Sequence, residues 1–315
     1  MINPNHYGLS FSLKQCRNFG LDPQDCLKWL LKKGWRRYRL MSYWNEHEPT
    51  KGMYDFSELD WQVKMVSKRG GTITLCLGVK QPRWPEYHWP AWAQKLEDDE
   101  KSLALLKFID AVVSRYKDEP CVVSYQLENE ALLSNFGREI HIDRARLRRE
   151  YDLVKRLDPH TPIYMSTSNG WGIPLRRPRP WGGVGFSVYT SMFQKGTYRQ
   201  TIQRPWLHRL RKIFIEVVLR RPVFIHELQC EPWGPKAIWE MSTAEQAKSM
   251  NPERIAHNIA WAQKIGAYPV DLWGAEWWYW RYRQGDKAIY AVVEQAINTR
   301  ADNPRHAKHE WQNIS

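Results

Sequence analysis

The chain has 315 residues, 43% of them hydrophobic and 26% charged, so it can bury a sizeable core and is not compositionally disordered. Its 19 Pro and 18 Gly are scattered, and its five Cys (Cys16, Cys26, Cys76, Cys121, Cys230) lie far apart with no Cys-x-x-Cys pair. Collagen-like, linker-rich, disulfide-scaffold, zinc-ribbon and thioredoxin-type readings all fall away.

In chain order, short apolar runs alternate with helix-length amphipathic segments, the pattern of βα units feeding a parallel sheet. The predicted strands are 7–11, 38–41, 72–77, 122–127, 163–167, 185–189, 223–225 and 270–273. Several are continuous Val/Ile/Leu stretches, as strands covered on both faces require. Asp22-Pro23 starts a helix over 26–33, with Asp as N-cap and Pro at the first helical position. Ser57 and Asp60 open 59–69, which Gly70-Gly71 ends, and Asn251-Pro252-Glu253 opens a segment running to Lys264 and stopping at Gly266. Further helical patterns cover 102–116, 144–157, 205–220 and 287–299. Eight βα units and no linker predict one (β/α)8 (TIM) barrel over 1–315, of class α/β, with a doubly wound open sheet as the alternative.

Barrel chemistry sits at the C-terminal ends of the strands. Ser42-Tyr43-Trp44-Asn45-Glu46 follows the second strand, Glu128-Asn129-Glu130 the fourth, His226-Glu227-Leu228-Gln229 the seventh, and Gly274-Ala275-Glu276-Trp277-Trp278 the eighth. Strands four and seven face each other across a barrel mouth. Glu130 and Glu227 therefore form the kind of pair that glycoside hydrolysis needs: one carboxyl protonates the leaving oxygen and the other stabilises or attacks the anomeric carbon. Asn129 offers an amide to a sugar hydroxyl.

These residues carry a resemblance. Tyr125-Gln126-Leu127-Glu128-Asn129-Glu130 resembles the Asn-Glu motif of the retaining clan A glycoside hydrolases, the (β/α)8 group containing cellulase-type and β-galactosidase-type families. Trp44-Asn45-Glu46-His47-Glu48-Pro49, with Gly52-Met53-Tyr54-Asp55-Phe56 and Leu59-Asp60, is similar to the clan's segment after strand two. Pro222-Val223-Phe224-Ile225-His226-Glu227 is similar to its nucleophile strand, and the likeness spans Trp35 to about Trp278. It implies Glu130 as acid/base and Glu227 as nucleophile. It further implies Arg39 as the arginine bonding that nucleophile, Asn129 on the hydroxyl beside the anomeric carbon, Tyr189 against the nucleophile, and Trp273 as an aromatic platform. Retention of configuration is likewise an implication of the resemblance. Two departures stand out. Ser187 occupies a place where cellulase-type members often carry His. Leu228-Gln229-Cys230-Glu231-Pro232-Trp233-Gly234 replaces the usual short Gly-containing stretch, leaving Glu231 as a rival nucleophile in a loop beyond the strand.

Eighteen Trp is an excess, and sugars stack on flat aromatic faces. Trp44, Trp84, Trp89, Trp92, Trp171, Trp181, Trp233, Trp277, Trp278 and Trp280 fall in predicted loops or strand ends, whereas Trp29 and Trp61 lie in helices as core candidates. With Gln229 and Glu231, Trp44 and Trp277 complete the expected substrate contacts. The competing reading for each Trp is packing under long loops.

Net charge is +13, and 11 Lys/Arg against one acid (Glu216) lie between Trp171 and Arg221. Within that stretch, 205–221 pairs an apolar face with basic flanks. This suits a barrel helix but also an interfacial helix on an anionic membrane surface, and an acidic polysaccharide is a further ligand for the same arm. A pI near 9.5 alone would suggest nucleic acid, but no zinc finger, RNP motif or recognition helix is legible. His141, His208 and His226 lack metal-ligand spacing, Gly182-Gly183-Val184-Gly185 is too short for a phosphate loop, and no cofactor is expected. Residues 1–12 carry no basic-then-apolar signal pattern, so the chain as written reads as cytoplasmic. The function expected is retaining hydrolysis of a β-linked sugar, with a catalytically silent, carbohydrate-binding barrel as the alternative.

Overall fold

The computed structural model describes residues 2–131, 144–168 and 182–298. Its strands are β1 (Tyr7–Phe11), β2 (Arg37–Met41), β3 (Thr72–Leu77), β4 (Val122–Leu127), β5 (Ile163–Thr167), β6 (Gly183–Val188), β7 (Ser191–Gln194), β8 (Thr197–Gln200), β9 (Val223–Gln229) and β10 (Val270–Trp273). Eight of them close a parallel barrel in the order β1-β10-β9-β6-β5-β4-β3-β2, while β7 and β8 form a separate antiparallel hairpin. The fold is a TIM barrel, and the open sheet is set aside.

Alternation along the strands builds two layers. Leu9, Tyr38, Leu40, Ile73, Leu75, Tyr125, Leu127, Ile163, Met165, Val184, Phe186, Ile225 and Leu272 belong to the main apolar core. The intervening residues (Ser10, Arg39, Thr74, Ser124, Gln126, Asp271) are polar and buried, and among the described residues all but the Ser10 hydroxyl are hydrogen-bonded. Thr74 and Ser124 share a hydrogen bond of 2.8 Å, and Arg37 Nε donates to Asp271 Oδ1 at 2.9 Å. Such a polar lumen demands partners for its groups, because an unpaired buried polar group is costly.

The helices start where the sequence signals them. Asp22 accepts from the Asp25 N–H ahead of Pro23–Lys32, and Asn251 accepts from the Arg254 N–H ahead of Pro252–Ile265, which Gly266 ends in the left-handed conformation. The helix Ser57–Ser67 has no side-chain cap. Three features differ from expectation. The hairpin β7–β8 lies between the predicted strand 185–189 and helix 205–220, where no element was predicted. Ala275–Arg283 is a helix where a loop was expected. Strand β9 runs four residues past Ile225, through Glu227 to Gln229.

Candidate functional site

The extension of β9 has a local cause. Its pairing with β6 slips between Phe186↔Ile225 and Ser187↔Glu227, so one extra residue, His226, is accommodated on β9. A bulge of this kind re-aims side chains. Here it lets two successive residues, His226 and Glu227, both reach Arg39 of β2. Gly185 is also required: a Cβ there would stand 2.8 Å from the His226 ring.

Arg39 is the hub. It is almost fully buried, and its Nη2 donates to Glu227 Oε1 at 2.7 Å. Its Nη1 donates to Gln126 Oε1 at 3.1 Å and also meets His226 Nδ1. Tyr189, just past β6, donates its hydroxyl to Glu227 Oε2 at 2.9 Å. Burial alone would push the Glu227 carboxyl up. The Arg39 charge, with the hydrogen bonds from Arg39 and Tyr189, overcomes that and holds it below the usual carboxylate range.

Glu130 lies just past the end of β4 in the opposite condition. Burial first, then the facing charge of Glu227, push its carboxyl up to about 7, against the Ser187 hydroxyl, which pulls it down. Ser187 Oγ donates to Glu130 Oε1 at 2.6 Å and lies 3.2 Å from His226 Nε2. A ring nitrogen facing a guanidinium must accept, so Nδ1 of His226 is bare and Nε2–H points at Ser187. A continuous chain of contacts therefore joins Glu227, Arg39, His226, Ser187 and Glu130.

The backbone around Glu130 is strained. Glu128 (φ 51°) and Glu130 (φ 47°) both adopt the left-handed conformation, which non-glycine residues avoid and which clusters at functional sites. Glu128 anchors the turn by accepting from the N–H groups of Val79 (3.0 Å) and Lys80 (2.6 Å) and by meeting Arg146 at 3.3 Å. A Cβ on Gly78 (φ 103°) would collide with that carboxylate at 2.4 Å. Asn129 Oδ1 accepts from Gln126 Nε2 at 3.0 Å, which ties the amide back to the Arg39 hub.

Trp273 ends β10 beside these groups. Its ring centroid is 5.5 Å from the Arg39 guanidinium and 4.0 Å from that of Arg83, and it shares a small apolar cluster with Met41, Tyr43, Cys76 and Tyr189, separate from the main core. Glu231 is paired with Arg83, which also donates to Glu276 Oε2 at 2.8 Å. Glu227 and Glu231 thus answer to different arginines.

Three expected sugar contacts are buried in the packing instead. Trp44 is wholly buried, stacked on Phe108 at 5.6 Å, with its indole N–H donating to Glu48 at 2.6 Å. Trp277, on the helix Ala275–Arg283, is equally buried and donates to Gln246 at 2.8 Å. Gln229 spends its amide on Thr190 and Ser191 (3.0, 3.0 and 2.6 Å), fixing the turn after Tyr189. Trp89 and Trp278 are also buried, Trp84 is exposed, and Trp233 meets the Tyr189 ring edge-on at 5.4 Å. Trp171 and Trp181 lie outside the described residues.

Sequence reasoning missed Lys80, Arg83 and Glu86, which lie in the loop after β3, the last two beyond the residues immediately following the strand. Lys80 Nζ donates to the Glu130 carbonyl at 3.3 Å and lies 3.5 Å from Glu86. Among the described residues no group of His, Cys, Asp and Glu is set to hold a metal ion. All five cysteines are buried thiols.

No family model and no curated protein matches this chain. Solved structures do. GH5_18 from Streptomyces cattleya, crystallised with GlcNAc, is 14% identical, with 96% of this chain and 82% of that one covered at a TM-score of 0.64. Xylanase 10B from Thermotoga maritima is 14% identical over 94% and 97% of the chains, with a TM-score of 0.61. A mutant of Xylanase10C from Cellvibrio japonicus, in complex with xylopentaose, is 15% identical over 94% and 70%, with a TM-score of 0.62. The chain has the (β/α)8 barrel fold of these solved structures.

Proposed function

We propose that the protein hydrolyses a β-linked glycoside with retention of configuration. The observation that carries this reading is the asymmetry of two facing carboxyls: Glu227 held ionised by Arg39 and Tyr189, Glu130 held protonated up to about 7. Double displacement needs that division of roles. A Glu227 oxygen attacks the anomeric carbon, the glycosidic C–O bond breaks, and its electron pair leaves with the aglycone oxygen, which takes the proton from Glu130. Glu130, now a carboxylate, removes a proton from water. The water oxygen displaces Glu227 from the anomeric carbon, and both carboxyls return to their starting states. Asn129 supplies an amide to the hydroxyl beside the reacting carbon, Tyr189 holds Glu227, and Trp273 lies beside Arg39 and Arg83. No step calls for a cofactor. Neighbours of this fold solved with GlcNAc, Manb1-4GlcNAc and xylopentaose support an oligosaccharide substrate.

The test is labelling with 2-deoxy-2-fluoro β-glycosides of the gluco, galacto, manno and xylo series, followed by peptide mapping. One covalent adduct on Glu227 is expected. An adduct on Glu231 would reassign the nucleophile. No adduct together with no aryl-glycoside hydrolysis would leave a carbohydrate-binding barrel.

The Ser187 hydrogen bond gives a pH signature. It favours the charged form of Glu130, so Ser187→Ala raises that carboxyl further. A hydrogen bond to a charged group is worth about 1.5–3 kcal/mol, and 1.36 kcal/mol is one pH unit. The alkaline limb of kcat/KM therefore moves up by about one to two units in Ser187→Ala. A limb that stays near pH 7, or moves down, refutes the assignment of that limb to Glu130.

A further inference from the structure

The helix Pro205–Val218, on the barrel's outer wall after the hairpin β7–β8, is built inside out. Barrel helices bury an apolar stripe and expose polar residues. Here the barrel-facing side is His208, Arg211 and Ile215. Arg211 Nη2 donates to Thr167 at 2.8 Å and its guanidinium lies 4.1 Å from the Phe186 ring centroid. Burial, with the Arg211 charge, pushes His208 down to about 4, so it sits there neutral. The opposite side carries Trp206, Leu210, Ile213, Phe214, Val217 and Val218, which are 41 to 69% exposed. At 100° per residue these six fall on one continuous face. Apolar patches of this kind mark interaction surfaces.

The charge around that face selects its occupant. Arg209 flanks it and Arg204, Arg220 and Arg221 lie at the helix ends, while Lys212, on the far side of the helix, is paired with Glu216, the one acid of this stretch, at 2.6 Å. A second copy docking through the same face would bring two basic borders together, since a two-fold contact meets itself. An anionic lipid bilayer meets both features: acyl chains for the apolar face and phosphate headgroups for the basic border. We propose that this helix lies in the interface of an anionic membrane and holds the barrel there. No described helix is long and apolar enough to span a bilayer, so attachment through this face is peripheral. The proposal stands apart from the glycosidase reading.

Vesicle flotation of the full chain tests it. The chain should float with phosphatidylcholine vesicles containing phosphatidylglycerol, float little with phosphatidylcholine alone, and lose binding as salt rises. Phe214→Asp with Val217→Asp, both at exposed positions, should abolish flotation while turnover of a soluble glycoside stays unchanged. Arg209→Glu should weaken it about fivefold or more, the loss of one basic contact near the surface. Absence of flotation with anionic vesicles overturns the proposal, as does flotation that survives Phe214→Asp/Val217→Asp. A dimer by light scattering that this variant dissociates, without vesicle binding, gives the face to a second copy and equally overturns it.

Discussion

Glu227→Gln lowers turnover by at least about 10⁴-fold, in line with the loss of a covalent nucleophile, and no change of leaving group restores it. The amide keeps the shape of the carboxylate and removes only its charge, so the attacking electron pair is lost while the packing stays. Glu130→Gln behaves differently. Losing a general acid costs about 10²–10⁴-fold when the leaving oxygen is a poor one, and much less for an aryl leaving group, which departs without a proton. The check is kcat and kcat/KM for both variants across leaving groups of increasing acidity. A steep dependence for Glu130→Gln and a flat, deep loss for Glu227→Gln is the expected pattern. Equal losses that ignore the leaving group would dissolve the division of roles.

Arg39→Met destabilises the fold by about 3–5 kcal/mol, the usual cost of stranding one partner of a buried ion pair. Arg39 and Glu227 are both buried, and three acceptors on two strands depend on that single guanidinium: Gln126, His226 and Glu227. Two consequences separate this from a simple packing loss. Glu227 loses the charge that holds its carboxyl low, so the acid limb of kcat/KM moves to higher pH. Arg39→Met combined with Glu227→Gln is less destabilised than Arg39→Met alone, because no buried charge is left unpaired. Urea unfolding of the double-mutant cycle measures this directly. Strict additivity would mean that the two side chains do not stabilise each other.

How much of this was legible in the sequence depended on whether the signal was local. The eight barrel strands were, because apolar runs walled by helices on one side and a closed lumen on the other leave a strong pattern. The end of β9 was not: the bulge at His226 breaks the alternation that defines a strand, so the pattern stops at Ile225 while the pairing continues. The hairpin β7–β8, mostly polar and exposed at half of its strand residues, carries no alternation to read. For Trp44 and Trp277 the sequence placed each near a strand end but could not say which way the ring turns. Their indole N–H groups find Glu48, one helical turn on, and Gln246, on a different helix, and which partner is within reach depends on the assembled fold. Arg39 and Tyr189 reached the list of expected contacts only through family resemblance, because nothing local distinguishes them. The Ser187–His226 link went unread for the same reason: each residue looks ordinary until β6 and β9 are laid side by side.

The contact chain from Glu227 to Glu130 draws its members from opposite halves of the polypeptide. Arg39, Gln126 and Glu130 belong to the run from β1 to just past β4, while Ser187, Tyr189, His226 and Glu227 belong to the run from β6 to β9. Neither half alone can set the protonation of its own carboxyl, since Glu227 lacks its guanidinium and Glu130 lacks the closed barrel that buries it and the negative neighbour that adds to the rise. If the barrel were divided after β4 and its pieces expressed separately, the proposed hydrolysis would begin only on reassembly, so the divided chain would report its own closure.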